Sequence, residues 1–435
     1  MKTLEKTTTT TTIAQLIKPQ LAISQINWVS ELRALAFDNF TTLGIPTRRN
    51  EEYKYSPVEP LFKGDMTIAQ ASTPLLSDIP NVLFGKTDAH VVVTVNGYYN
   101  EALTTQSSKE KLIICNFKEA FVNHADVLQK HFNSLSPNTT DALAALNTAA
   151  FTSGVFVLVK AYEHITQPIY ILNITTGNAP QLINARNLIV VEGNALCHII
   201  EHNVSHNLNA KAIRNSVTEI IVGENTEVKH EHLQNDNELL NTINATCVSQ
   251  ERTSTFTSNV ITLGGNYTRN NLHVSLNNNN CTTHLNGLFM PSGSQLIDNH
   301  TTVDHAMPHC NSNELYKGIL MDKSTGVFNG KIFVRKDAQK TNAYQSSKNI
   351  LLSADATINT KPQLEIYADD VKCSHGTTTG QIDDEAIFYL QARGIGKESA
   401  KRIMMHAFAS EVIDHIQNIS LRKYVTTCME QKLWV

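Results

Sequence analysis

The chain has no strong charge of either sign, no cysteine pair in a CxxC spacing and no long apolar run. Its 435 residues carry 36 Lys and Arg against 40 Asp and Glu, a net charge of −4. That balance argues against a nucleic-acid partner, which would call for a basic face. The seven cysteines are scattered at Cys115, Cys197, Cys247, Cys281, Cys310, Cys373 and Cys428. An odd, unpaired set reads as reduced thiols in a cytoplasmic protein rather than as a disulfide framework. No stretch approaches the roughly 20 apolar residues of a membrane span. The start, MKTLEKTTTTTT, lacks the apolar core of a signal peptide and the arginines of a transit peptide. Its threonine run is of low complexity and is expected to be disordered. A dinucleotide fingerprint and a framed Ser/His/Asp set are also missing, and Gly394-Ile395-Gly396-Lys397 lacks the frame of a phosphate-binding P-loop.

What is present divides the chain into three parts. Residues 1–85 read as an N-terminal helical region, with loose apolar periodicity from 13 to about 44. Residues 86–375 hold a bridging region and then a long β-rich tract. Runs such as VFVLV, IYIL, NLIVV and TEIIV alternate there with Asn-, Gly- and Ser-rich turns and no intervening helices. That texture excludes βαβ winding and leaves a sandwich, a barrel or a β-solenoid. The Asn-rich turns favour the solenoid, because stacked amides can satisfy one another at successive corners. Residues 376–435 read as a helical domain. Asp383, Asp384 and Glu385 crowd the start of its first helix and Gly394 closes it. A second helix carries a two-column apolar stripe of Ala400, Ile403, Met404, Ala407, Phe408, Val412, Ile413 and Ile416. The stripe is wide enough to pack on the chain's own sheet, on a partner, or on both.

Residues 365–395, EIYADDVKCSHGTTTGQIDDEAIFYLQARGI, carry the most chemistry. Strand alternation puts Cys373 and His375 on one face and Lys372 and Ser374 on the other. A thiol and an imidazole so placed can approach one metal or cluster, but two ligands leave a tetrahedral site incomplete. The competing reading is a half-buried strand end whose cysteine packs as a small hydrophobe. His305, His309 and Cys310 beside Asp304 read as a hydrogen-bonded corner rather than as a metal cluster. His230 and His232 share a strand face, read as a solvated wall. Asp369 and Asp370 point to opposite faces of a strand and cannot easily flank one glycosidic bond.

The run from Ala368 to Gly376, Gly380 to Asp383, and Phe388 to Ile395 resembles the C-terminal signature of the SufB/SufD family. Asp304-His305, Pro308-His309-Cys310, Tyr316-Lys317-Gly318, Leu146 to Ala150 and Gly154-Val155-Phe156 fit the same family, and Cys-Ser-His-Gly is similar to its SufD branch. Tyr53 stands where that family usually has Trp, at a position read as a structural joint. The resemblance implies a mainly β chain, a right-handed parallel β-helix flanked by N-terminal and C-terminal helical regions. It implies a non-catalytic scaffold subunit that pairs with a SufB-like subunit and docks a SufC-like ABC-type ATPase, which hydrolyses the ATP. His375 first and Cys373 second would then contact a transient Fe–S cluster, or its iron and sulfide precursors, shared with the partner subunit. Ile403, Met404, Ala407 and Phe408 would dock the ATPase. No nucleotide is expected on this chain, and a homodimer is possible in isolation. The alternatives are a polysaccharide-acting β-helix enzyme and a helix–hairpin–helix DNA-binding protein built on the 385–416 hairpin.

Overall fold

The computed structural model describes residues 8–22, 24, 26–74, 88–105 and 110–433. Its centre is a parallel β-solenoid of about eight turns. Each turn contributes one strand to each of two ten-stranded sheets. The first sheet ends with the strands Leu240–Gln250, Tyr267–Leu276, Leu296–His305, Thr325–Val334 and Thr357–Ile366. The second ends with Glu227–Gln234, Thr255–Thr262, Thr282–Phe289, Asn311–Leu320, Asn342–Leu351 and Lys372–Gly380. Within each sheet these strands pair in parallel and in register with the turns above and below. The last strand runs through Gly380, slightly beyond the boundary expected at 375.

Turn chemistry sets the shape. At one corner a residue in the left-handed region recurs on successive turns: Asn194, Asn225, Thr253, Asn280, His309 and Lys340. The N–H of each donates to a carbonyl one turn further on, from Asn194 to Glu224 through Lys340 to Asp370. Asparagine tolerates this conformation best, which accounts for the Asn-rich turns. Amide ladders add to the stacking, with Asn244 donating to Asn270 at 2.9 Å and Asn270 to Asn299 at 3.0 Å.

The two sheets face each other across an apolar interior that includes Val157, Ile189, Ile220, Val274, Ile199, Phe256, Leu285 and Phe328. Gly287 is required there, because a Cβ would lie 2.2 Å from the Tyr316 ring. The interior also holds polar groups. His230 and His232 point inward and are buried with Glu201, so the expected solvated wall is in fact core. Alternation fixed that they share a face, but not which face closes.

Helices cover both outer faces. On the first sheet lie α1 (Thr8–Ile17), α2 (Asn27–Leu43), α3 (Phe117–Asn123), α4 (Ala125–His131) and α5 (Ala142–Ala150). The threonine run expected to be disordered instead begins α1 at Thr8. Thr10 is buried and accepts a hydrogen bond from the Ile45 N–H, while Ile13 and Ile17 anchor the same face. Residues 1–7 lie outside the described residues. Every residue of α5 is buried, and Asp141 caps it by accepting from the N–H groups of Leu143 and Ala144. Asn147 ties α5 to the sheet by donating to the carbonyls of Ala185 and Asn215, at 2.8 Å each. Beside it the fully buried Arg186 pairs with Glu219 at 2.5 Å. Glu219 also accepts from the N–H groups of Asn133, Leu135 and Ser136. On the second sheet lie α7 (Lys397–Ile413) and α8 (Ile419–Leu433), reached through α6 (Asp384–Ala392). Asp383 caps α6, and Gly394 follows it at φ +86°, as its sequence position suggested.

Two predictions follow from this interior. Glu219→Ala leaves the Arg186 charge buried and orphans three N–H donors, so urea denaturation should read a loss of about 3–5 kcal/mol. Burial holds the imidazoles of His202, His232 and His305 down to about 3, 4 and 4. The unfolded chain therefore binds more protons than the folded one below about 6.5, and stability is lost as pH falls from there toward 4. Glu314, raised to about 7 by burial, and Asp236, raised likewise, act in the opposite sense, but burial also holds down His90, His131, His273 and His284. The urea midpoint should fall steadily between about pH 6.5 and 4.5, less steeply in His202→Gln.

Candidate functional site

The solenoid's last turn is built unlike the rest. Lys372–Gly380 pairs with Asn342–Leu351 on one side only, and almost all of its residues are exposed. Thr357–Ile366 closes the other sheet in the same way, pairing only with Thr325–Val334. Among the described residues no helix covers either terminal edge, so two rows of backbone donors and acceptors face outward.

Cys373 stands in register with Ala343, and His375 with Gln345. Ala343 and Gln345 are buried in the interior row, which places the expected pair on that row at its open end. Cys373 is half-buried against the cluster of Ile332, Val334, Ala338 and Ala343, and burial pushes its thiol up. His375 is exposed. Among the described residues no three His, Cys, Asp or Glu side chains are placed to hold a metal ion. The structure thus places two ligand-type groups on one row, with no metal-holding cluster of three among the described residues.

His375 also lines a cleft of about 810 Å³ between the last strands of the second sheet and α7, together with His284, Tyr344, Lys348, Glu411 and His415. The sequence offered Lys317, the anchor of α7 beside this cleft, only as part of the Tyr316-Lys317-Gly318 motif and gave it no role. Lys317, buried in the sheet, pairs with Glu411 of α7 and donates to the Phe408 carbonyl at 2.8 Å. Its ammonium lies 4.2 Å from the Phe408 ring centre. The Lys317 hydrogen bond holds the Glu411 carboxyl below its ordinary range, and Lys348 joins it at 3.2 Å.

The other expected residues separate. Met404 and Phe408 pack against the second sheet, whereas Ile403 of α7 and Phe388 and Tyr389 of α6 are exposed, at 46%, 71% and 59%. Ala407 is also exposed. The stripe therefore serves two surfaces. His305 bonds Ser312 at 2.9 Å, Asp304 pairs with Arg335, and His309 occupies the left-handed corner, so this segment is a hydrogen-bonded corner. Asp369 and Asp370 take separate partners, Gln339 and Lys340. Tyr53 is buried with the Arg269 guanidinium 4.0 Å from its ring centre, a joint between the N-terminal region and the first sheet. All seven cysteines are free. No helix among the described residues is long and apolar enough to cross a membrane.

This fold matches two family models end to end: the SufBD protein N-terminal region over residues 14–171 and the SufBD core domain of the SUF FeS cluster assembly system over residues 173–408. The chain belongs to the SufBD family. It is 34% identical to the iron–sulfur cluster assembly protein SufD of Escherichia coli over 397 residues, 90% of each chain. It is 30% identical to an iron–sulfur cluster assembly SufBD family protein of Synechocystis over 91% of this chain and 89% of that one. The SufD of Bacillus subtilis matches at 25% over 76% of each. In this SufD-type chain the segment Lys372–Gly380, which includes the Cys-Ser-His-Gly run, forms the open last turn of the solenoid.

In this SufD-type chain α7 is held by a buried cation, so Glu411→Ala should loosen the helix. The Lys317 charge would keep only its bond to the Phe408 carbonyl, and because Glu411 is half exposed the cost should be about 1 kcal/mol. Hydrogen exchange across Lys397–Ile413 should rise while exchange in α5 stays unchanged.

Proposed function

We propose that this chain is the SufD-like scaffold subunit of a SufBCD-type complex, holding iron and sulfide with a partner rather than converting a substrate itself. One observation carries the proposal: the uncovered terminal strand that bears Cys373 and His375 as part of an incomplete ligand set. Solenoids ordinarily end in capping elements, and exposed edges pair with other chains. A SufB-like subunit adding its own edge would satisfy these backbone groups by strand addition. It would also bring the remaining ligands to His375 and Cys373. The cluster is cargo here, and a site divided between two chains can open to release it. A closed site of four cysteines would retain it.

The exposed Phe388, Tyr389, Ile403 and Ala407 support docking of a SufC-like ATPase on α6 and the outer side of α7. Phe408 and Met404 would act from beneath, by holding α7 on the sheet. ATP hydrolysis would then belong to the partner, and its closure would pull on α7 and hence, through Lys317 and Glu411, on the sheet that ends at His375.

The test is co-expression with SufB-like and SufC-like subunits and anaerobic purification, followed by subunit ratio and labile iron and sulfide. A stable mixed complex carrying both is expected. His375→Ala should keep the subunit ratio and lose most of the iron and sulfide, whereas Phe388→Asp should lose the ATPase subunit alone. A His375→Ala complex with wild-type iron and sulfide would remove His375 from the role. If the chain stayed alone and metal-free, the pairing itself would fall.

A further inference from the structure

Away from the last turn, two buried thiols meet across the solenoid. Cys281 and Cys310 each immediately precede a strand of the second sheet, Thr282–Phe289 and Asn311–Leu320, which pair in register. The Asn311 N–H donates to the Cys281 carbonyl at 2.9 Å, so the two cysteines are neighbours on adjacent turns. Neighbouring strands lie about 4.8 Å apart, and disulfides span Cα separations of roughly 4.4–6.8 Å. Both sulfurs aim at one point: Cys281 Sγ lies 3.1 Å and Cys310 Sγ 3.2 Å from the Asn278 carbonyl oxygen.

The pair differs from the chain's other buried cysteines. Burial pushes the thiols of Cys115, Cys197 and Cys247 up to about 12. Cys281 moves the other way, to about 7, with the adjacent Cys310 thiol as the largest cause, and Cys310 rises correspondingly. Two adjacent thiols, one of them lowered by the other, are the arrangement of a reactive dithiol. The covering layer is thin. Asn280 and His309, the exposed left-handed residues of the same corner, immediately precede the two cysteines. Both also line a surface cleft of about 510 Å³.

We propose that Cys281 and Cys310 form a dithiol modification site that a hydroperoxide converts into a disulfide between adjacent turns of the solenoid. The Cys281 thiolate attacks the peroxide oxygen, the O–O bond breaks, and hydroxide or alkoxide leaves and takes up a proton. Cys310 sulfur then displaces water from the resulting sulfenic acid, and its proton leaves with that water. Two thiols lose two electrons, and one peroxide is reduced to water, with an alcohol as co-product when the peroxide is organic. The new bond would staple the third and fourth strands from the open end of the second sheet, beneath the turn that carries Cys373 and His375.

The experiment treats the full chain with hydrogen peroxide, quenches it, alkylates under denaturing conditions and maps the peptides. The expected product is one cross-linked pair joining residues 281 and 310, lighter by two hydrogens and restored by dithiothreitol. Two of the seven thiols should disappear from the alkylated pool. Cys373→Ser should keep the link, and Cys281→Ser or Cys310→Ser should abolish it. Recovery of both residues as alkylated thiols, at a dose that oxidises Cys373, would overturn the proposal. So would Cys281 sulfinic acid beside a free Cys310. The map of the unsubstituted protein decides the matter even if a serine variant fails to fold.

Discussion

Backbone hydrogen bonding between turns is the constraint on which this molecule depends. Each strand of the solenoid satisfies its N–H and C=O groups only through the strands one turn before and one turn after. Register is then inherited along the stack, and the recurring left-handed corner residues keep each turn aligned with the next. The first turns are closed by shorter strands, with Leu112–Asn116 antiparallel to Ser153–Val159 and Tyr98–Tyr99 antiparallel to His90–Val95. Among the described residues the last turn has no such closure. The architecture therefore concentrates its unsatisfied backbone at one end, where Cys373 and His375 also lie.

The helical layers have unequal roles. On the first sheet α5 is tied in by Asn147, the Arg186–Glu219 pair and the backbone donors that Glu219 collects. The segment Leu146 to Ala150 is thus a structural weld between α5 and the sheet. On the second sheet α7 sits on apolar contacts and on a single buried cation, Lys317, answered by a half-exposed Glu411. A helix held this way can respond to a force applied from its outer side. α6, with Phe388 and Tyr389 uncovered, supplies a surface through which such a force could act.

The polar interior follows from stacking as well. An amide, imidazole or carboxylate inside an ordinary core would be isolated, whereas in a solenoid it lies next to an equivalent position on the adjacent turn. Asn270, between Asn244 and Asn299, is satisfied in this manner, and Gln345 donates to Glu314 of the adjacent turn at 2.8 Å. The same adjacency brings Cys281 and Cys310 together. Side chains far apart in sequence become pairs because the turns superpose.

The sequence by itself excluded βαβ winding, through repeated short strands with no helices between them; its Asn-rich corners favoured a solenoid over a sandwich or a barrel, and the family resemblance implied the β-helix. The sequence also determined that Cys373 and His375 share a face and that Asp383 and Gly394 bound a helix, because strand alternation and helix capping are local rules. Tertiary structure alone decided which face of each strand closes inward, so His230 and His232 became core. It likewise decided which residues of the 400–416 stripe reach the sheet, and that Thr10 joins α1 to Ile45. The pairing of Cys281 with Cys310 was beyond sequence reasoning for a definite reason. The corner residues Asn194, Asn225, Thr253, Asn280, His309 and Lys340 are unevenly spaced, because the turns differ in length. No fixed period read from the chain could therefore superpose the two thiols, and only the hydrogen-bonded register between turns does so.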